Sequence, residues 1–344
     1  MGNKLQKKMI SMVLVLVLAF SMTACGGNGG AEPSDIDEAI ILTDQAGREV
    51  VLDKPAETLV SCYYITTYAT IALGVSDRVV GLEKKAESRE IYHLAAPYLL
   101  EQTQVGTLKE FNVEATAALD PGLVLMPAKL ADYADTLSEL GISVLVVNPE
   151  TQESMEEMLK LIAQACGVEE KAAALLSYYD QQFEAIEGMI EGTEVPTVYM
   201  GGNSSYLTTA PGAMYQSDLI TLAGGENAAQ DLEGNYWTEV SYEAILAMNP
   251  DVMIIPCGAE YTSADILNDA QLADITAVKE GNVYQMPQNL EEWDSPIPSG
   301  ILGVMWLTSV LHEDVYPFET FKSDAADYYK TFYGFEVDEA VITK

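Results

Sequence analysis

Tyr63 and Tyr64 follow an apolar run at Thr58–Cys62, Lys84 and Lys85 follow a second at Arg78–Leu82, and Lys129 follows a third at Leu123–Met126. In the second half of the chain, Asn203, Ser204 and Tyr206 come after Thr197–Met200, Cys257 and Tyr261 after Val252–Pro256, and Gln288 to Trp293 after Val283–Met286. Tyr236-Trp237 adds an aromatic pair. Aromatic rings stack on the faces of an organic ligand, while hydroxyls and amides orient it and ammonium groups meet its charge. Residues of these types at the ends of strands therefore point to holding a bulky ligand. Lys84, Lys85 and Arg89 form a local basic cluster suited to an anionic ligand group; a solvated loop balanced by Glu83, Glu87 and Glu90 is the plain alternative.

Bond-making chemistry finds little support. The chain has no GxSxG elbow, no GxxxxGK[ST] phosphate loop and no HExxH zinc pair. His93 and His312 are the only histidines and lack a partner pattern, so a His-rich metal cage is excluded. Cys62, Cys166 and Cys257 are widely spaced and form no CxxC pair, which reads as buried thiols rather than a disulfide framework or zinc site. No resident cofactor or protein-held metal is expected. A carboxylate pair for glycoside hydrolysis is not ruled out by a chain with 53 acids.

With 17 basic residues against those acids, the net charge is −36. Such a surface repels nucleic acid and anionic headgroups, so neither is an expected partner. Lys4, Lys7 and Lys8 precede an apolar run from Met9 to Phe20, closed by Met22-Thr23-Ala24-Cys25. A basic head, a short apolar core and small residues describe a secretory signal, too short for an ordinary membrane span. Ending on Cys25, it resembles the lipobox of bacterial lipoproteins, which implies lipidation of Cys25 and an extracytoplasmic, membrane-tethered protein. Met22 stands where Leu is more usual. Residues 1–24 are thus the expected signal and 25–38 a flexible, Gly- and acid-rich tether.

The elements that position the ligand residues alternate between apolar β-branched runs and helical stretches, which argues for an α/β fold with parallel-rich sheets buried on both faces. Met155, Met158, Leu159, Ile162 and Cys166 recur at helical spacing until Gly167. Leu175, Tyr179, Phe183, Ile186 and Ile190 continue the stripe up to Gly192, predicting a second helix of roughly 22 residues, or ~33 Å. A crossover within one sheet does not need that length; a strut between two lobes does. The expected organisation is an N-terminal lobe at 39–150, a linking helical segment at 151–194 and a C-terminal lobe at 195–344. Trp306 falls in the stripe of Leu302, Met305 and Val310 and is read as core.

One segment occurs in both halves. Asn112-Val113-Glu114-Ala115 leads through Asp120-Pro121 into Leu123–Met126, and Tyr242-Glu243-Ala244-Ile245 leads through Asn249-Pro250 into Val252–Pro256. With Ala72-Leu73-Gly74-Val75, Leu222-Ala223-Gly224-Gly225-Glu226-Asn227 and Ala277-Val278-Lys279-Glu280-Gly281-Asn282-Val283-Tyr284, this ordered set resembles the substrate-binding proteins of ABC importers for iron–siderophore complexes, haem and vitamin B12. Gly122 departs from the Asp usual after Pro121, and Glu313 from the Pro usual after His312. The resemblance implies two Rossmann-like lobes joined by one long helix, a ligand between them, and no catalysis. It also implies that Glu114 and Glu243, one per lobe, dock into basic pockets of the permease.

Applying the rule that open α/β sheets bind ligands beyond strand carboxyl ends, the expected ligand residues are Tyr63, Tyr64, Lys84, Lys85, Lys129, Asn203, Ser204, Tyr206, Trp237, Tyr261 and Trp293. The expected function is capture of a ferric siderophore-type chelate by a monomer and its delivery to the permease and ATPase of an ABC importer. A corrinoid or haem is the alternative within the family; an extracellular enzyme on the same scaffold is the alternative outside it.

Overall fold

A computed structural model describes residues 39–344. The signal, the tether and Cys25 lie outside the described residues. A hairpin of β1 (Ile40–Thr43) and β2 (Glu49–Leu52) opens this region. Next come β3 (Leu59–Ser61), β4 (Val79–Glu83), β5 (Thr103–Gly106), β6 (Leu123–Pro127) and β7 (Val144–Val147). These form one parallel sheet in the order β5-β4-β3-β6-β7. The second lobe holds β8 (Thr197–Met200), β9 (Thr208–Thr209), β10 (Glu226–Asn227), β11 (Thr238–Glu239), β12 (Val252–Ile255) and β13 (Val283–Gln285). Its sheet is parallel in the order β10-β8-β12-β13, with β9 and β11 paired as a separate antiparallel ribbon.

Side-chain alternation along these strands divides the core. Leu59, Leu123, Leu125, Leu145 and Val147 face the same cluster as Val198, Met200, Val252 and Ile254 of the other sheet. Val60, Val124, Met126, Val144 and Val146 face a separate core on the far side of the first sheet. Tyr199, Met253, Ile255 and Val283 do the same on the second. A period of two with both faces apolar explains why these strands read as near-continuous hydrophobic runs. One core is thus shared by both lobes.

The linking segment carries that core across. Helix Gln152–Cys166 starts on a Thr151 cap that accepts the Ser154 N–H, and stops at Gly167, whose φ of 66° is the left-handed geometry a helix end favours. Helix Glu169–Ile190 follows, 22 residues and roughly 33 Å long. It buries Ala172, Leu175, Tyr179 and Ile186 against the preceding helix and against second-lobe helices Tyr215–Leu222 and Gly300–Leu311. The Tyr179 hydroxyl donates to the Pro298 carbonyl, and the Gln152 N–H donates to Asp218 at 2.9 Å. These bonds tie the strut to the second lobe. Among the described residues, no helix is long and apolar enough to cross a membrane.

Candidate ligand cleft

Both sheets reverse their strand order at an internal point, between β3 and β6 in the first and between β8 and β12 in the second. The carboxyl ends flanking such a switch point are left open by crossovers that leave in opposite directions. Tyr63 and Tyr64 follow β3, and Lys129 follows β6. Asn203 follows β8, and Cys257 and Gly258 follow β12. All six line one cleft of about 440 Å³, with Trp237 and Tyr236 from the segment before β11 and Glu292, Asp294 and Ser295 from the segment after β13.

The first-lobe wall is a row of edge-to-face rings. Tyr63 meets Tyr64 at 4.9 Å between centroids, Tyr64 meets Tyr68 at 5.5 Å, and Tyr68 meets Tyr92 at 5.6 Å. Arg89 lies over the Tyr64 ring, 4.1 Å from its centroid. Its guanidinium also pairs with the Glu292 carboxylate of the other lobe. Glu292 accepts a second bond from the Tyr68 hydroxyl at 2.9 Å, and Tyr64 donates to Ser295 at 3.3 Å. Lys129 of the first lobe sits 5.4 Å from the ring centroid of Tyr236 in the second. The two walls therefore touch through ion pair, hydrogen bond and cation–π contacts. Burial pushes the Tyr63 hydroxyl far above its ordinary range and the Tyr64 hydroxyl up to about 12, so both present neutral O–H groups.

Of the expected ligand residues, the structure brings together Tyr63, Tyr64, Lys129, Asn203 and Trp237. It places the other six elsewhere. Lys84 and Lys85 are exposed; Lys84 shares a shallow depression with Glu110 and Glu114, and Lys85 turns away in left-handed backbone at φ 71°. Only Arg89 of that basic cluster reaches the cleft, because the left-handed turn redirects the chain before it. Ser204 is exposed at the tip of its loop. Tyr206 instead donates to Asp269 at 2.8 Å and packs edge-on to Tyr261, whose ring is buried in the second-lobe core. Trp293 is 1% exposed and faces inward.

Arg89, Glu150, Met214, Tyr215, Gln216, Asp294 and Ser295 are cleft residues that the rule about strand ends did not select. Tyr215 and Gln216 open a helix, and Glu150 follows β7, a strand the rule was not applied to. Both histidines sit away from the cleft: His93 on the exposed side of a short helix, His312 buried between Thr193 and the Gly224 carbonyl. Cys62, Cys166 and Cys257 are free and buried. Among the described residues no cluster of His, Cys, Asp and Glu is arranged to hold a metal ion.

Glu114 and Glu243 are exposed in the first turns of matching short helices. Asn112 caps one by accepting the Ala115 N–H, and Ser241 caps the other by accepting the Ala244 N–H. Each helix runs out at a left-handed residue before a proline, Asp120 at φ 48° and Asn249 at φ 43°. The two-fold sequence segment is thus a two-fold structural one.

Residues 59–290 match the family model described as "Periplasmic binding protein". This chain belongs to the periplasmic binding protein family. Its two parallel-sheet lobes joined by one long helix fit that family, so the chain is a substrate-binding protein rather than an enzyme. It is 26% identical over 340 residues to the ABC transporter substrate-binding lipoprotein YvrC of Bacillus subtilis, covering 92% of this chain and 99% of that one. It is 24% identical over 325 residues to the molybdate-binding protein MolA of Haemophilus influenzae, covering 85% and 90%. The solved structure of MolA with molybdate superposes with a TM-score of 0.75 over 87% of this chain and 99% of that one, a likeness of fold. A cobalamin-binding protein of Halobacterium salinarum is 26% identical over 319 residues, covering 87% and 84%.

Proposed function

We propose that this periplasmic binding protein captures a ferric siderophore-type chelate in its interlobe cleft and delivers it to the permease and ATPase of an ABC importer. The observation that carries the reading is the pairing of rings across the cleft, Tyr63 and Tyr64 on one wall with Tyr236 and Trp237 on the other. Opposed rings hold a broad organic complex by stacking and apolar burial. A bare tetrahedral oxyanion gains nothing from them, which sets the reading apart from the molybdate of MolA. Amide and hydroxyl groups from Asn203 and Ser295 orient the complex.

A corrinoid is the second reading: its ring offers a similar face, and a relative is named for cobalamin. Haem fits less well. With neither histidine in the cleft, its axial ligand would have to come from a tyrosine such as Tyr63 or Tyr64. The protein acts as a monomer anchored through Cys25, with Glu114 and Glu243 seated on the permease. The shared core and the helix Glu169–Ile190 restrict opening to a small rocking of the lobes.

The test is titration of the full-length chain in detergent with ferric hydroxamates, ferric catecholates, haem, cobalamin and free metal ions, read by intrinsic fluorescence. Saturable quenching by a ferric chelate, without turnover, is the expected result. Silence across the panel overturns the reading.

A further inference from the structure

The cleft contains one guanidinium, and its charge is already matched. Arg89 and Lys129 are the cationic side chains on the walls, beside the acidic side chains of Glu150, Glu292 and Asp294. The Glu292 carboxylate reaches across from the second lobe to pair with Arg89. It is held there by a second bond from Tyr68, and Arg89 is held in turn by the face of Tyr64. Glu83, buried behind them, accepts from Thr67 at 2.8 Å and from Tyr92 at 2.6 Å and adds another carboxyl near the guanidinium. An anionic ligand group seeking Arg89 must therefore displace a tethered carboxylate. A tethered group competes at a high effective concentration, of order mM for short links.

We propose, resting on the chelate reading above, that Glu292 makes this cleft selective for neutral or cationic metal–organic complexes over anionic ones by occupying Arg89 from the opposite lobe. The exposed faces of Tyr63, Tyr236 and Trp237 are indifferent to the sign of a ligand's charge except that ring faces favour cations. Lys129 is the remaining cationic group, and it is paired with the Tyr236 ring rather than free in the cleft. The strongly acidic surface acts in the same direction by raising the local concentration of cations and lowering that of anions. Charge class is thus set by a residue of the Gln288 to Trp293 stretch that follows the last strand of the second-lobe sheet.

The experiment is calorimetric titration of the full-length chain in detergent with four probes. These are a ferric tris-hydroxamate carrying one positive charge, neutral cyanocobalamin, a ferric tris-catecholate carrying three negative charges, and molybdate. Glu292→Gln and Arg89→Gln are titrated beside the native chain. The native chain is expected to bind the cationic or the neutral complex at least tenfold more tightly than either anion. Glu292→Gln should improve catecholate affinity about tenfold, and Arg89→Gln should weaken it further. The opposite directions of the two variants separate a charge effect from loss of fold. Tightest binding of the catecholate or of molybdate by the native chain, unchanged or weakened in Glu292→Gln, overturns the inference. With the catecholate, the chelate reading still stands; no binding of any probe overturns both.

Discussion

Trp293 donates its indole N–H to the Tyr329 hydroxyl at 2.9 Å. Tyr329 passes the chain on to the buried Glu291 carboxylate, also at 2.9 Å, and the Trp293 ring stands edge-on to Phe321 at 5.8 Å. This network, rather than a ligand, fixes the indole. Its neighbours Glu292 and Asp294 reach the cleft from either side of it.

Trp293→Phe should therefore cost stability and spare binding. The loss of one buried hydrogen bond and part of a well-packed ring is worth about 1–2 kcal/mol. Thermal unfolding should shift down by a few degrees, while ligand affinity stays within about twofold of native. A binding loss of tenfold or more with unchanged melting would restore Trp293 to the cleft wall.

Glu291 and Asp294 make the fold lose stability as pH rises from the acid range to neutrality. Burial pushes both carboxyls up to about 7, with the nearby Glu292 charge acting in the same direction. Hydrogen bonds from Tyr329 and Tyr333 to Glu291, and from the Cys257 N–H to Asp294, only partly offset that. The folded protein holds these protons to higher pH than the unfolded chain does, so stability falls as pH rises from the ordinary carboxylate range to about 7. Shifts of this size correspond to roughly 3–4 kcal/mol per group. Glu291→Gln should flatten denaturant midpoints measured between pH 5 and 8; an unchanged slope would mean that Glu291 does not titrate there.

What could be read from the residues follows from how each signal is encoded. Strands β3, β4, β6, β7, β8, β12 and β13 are apolar on both faces because cores lie on both sides, and their runs stand out. Strand β5 is Thr-Gln-Val-Gly, an edge strand with half its side chains exposed, and carries no such run. The long helix announces itself by periodicity and by Gly167. Where a side chain points after a strand end is different information. It depended on the left-handed turn at Lys85 and on which partner claimed Tyr206 and Trp293, contacts between residues far apart in sequence. Tyr63, Tyr64, Lys129 and Asn203 were within reach because they lie within three residues of strands at the switch points.

Trp237 should be the tryptophan that reports ligand. It is half-buried on the cleft wall, whereas Trp293 and Trp306 are buried and have their indole N–H groups bonded to Tyr329 and to the Thr343 carbonyl. Trp237→Phe should remove most of the ligand-dependent tryptophan quenching. Affinity measured by calorimetry should fall by up to about tenfold, the worth of one stacking contact. Retention of the full quenching amplitude would place the ligand away from the segment before β11.

Delivery should depend on Glu114 and Glu243 together. Each stands exposed at the positive end of a short capped helix, and the Glu243 carboxyl is held below its ordinary pKa by backbone and Ser241 hydrogen bonds. Both side chains are thus solvent-exposed, as a group must be if it is to meet a basic pocket on another protein. Rim charges of this kind set register and association rate more than they set affinity for a small ligand. Glu114→Ala and Glu243→Ala should leave ligand affinity unchanged while each lowers uptake into cells or proteoliposomes severalfold, with the double variant lower than either alone. Charge reversal to Lys should lower it further, because a repelled lobe is worse than an unheld one. Uptake at the native rate in the double variant would sink the docking assignment, and loss of ligand binding in both single variants would move these glutamates from the permease face to the ligand site.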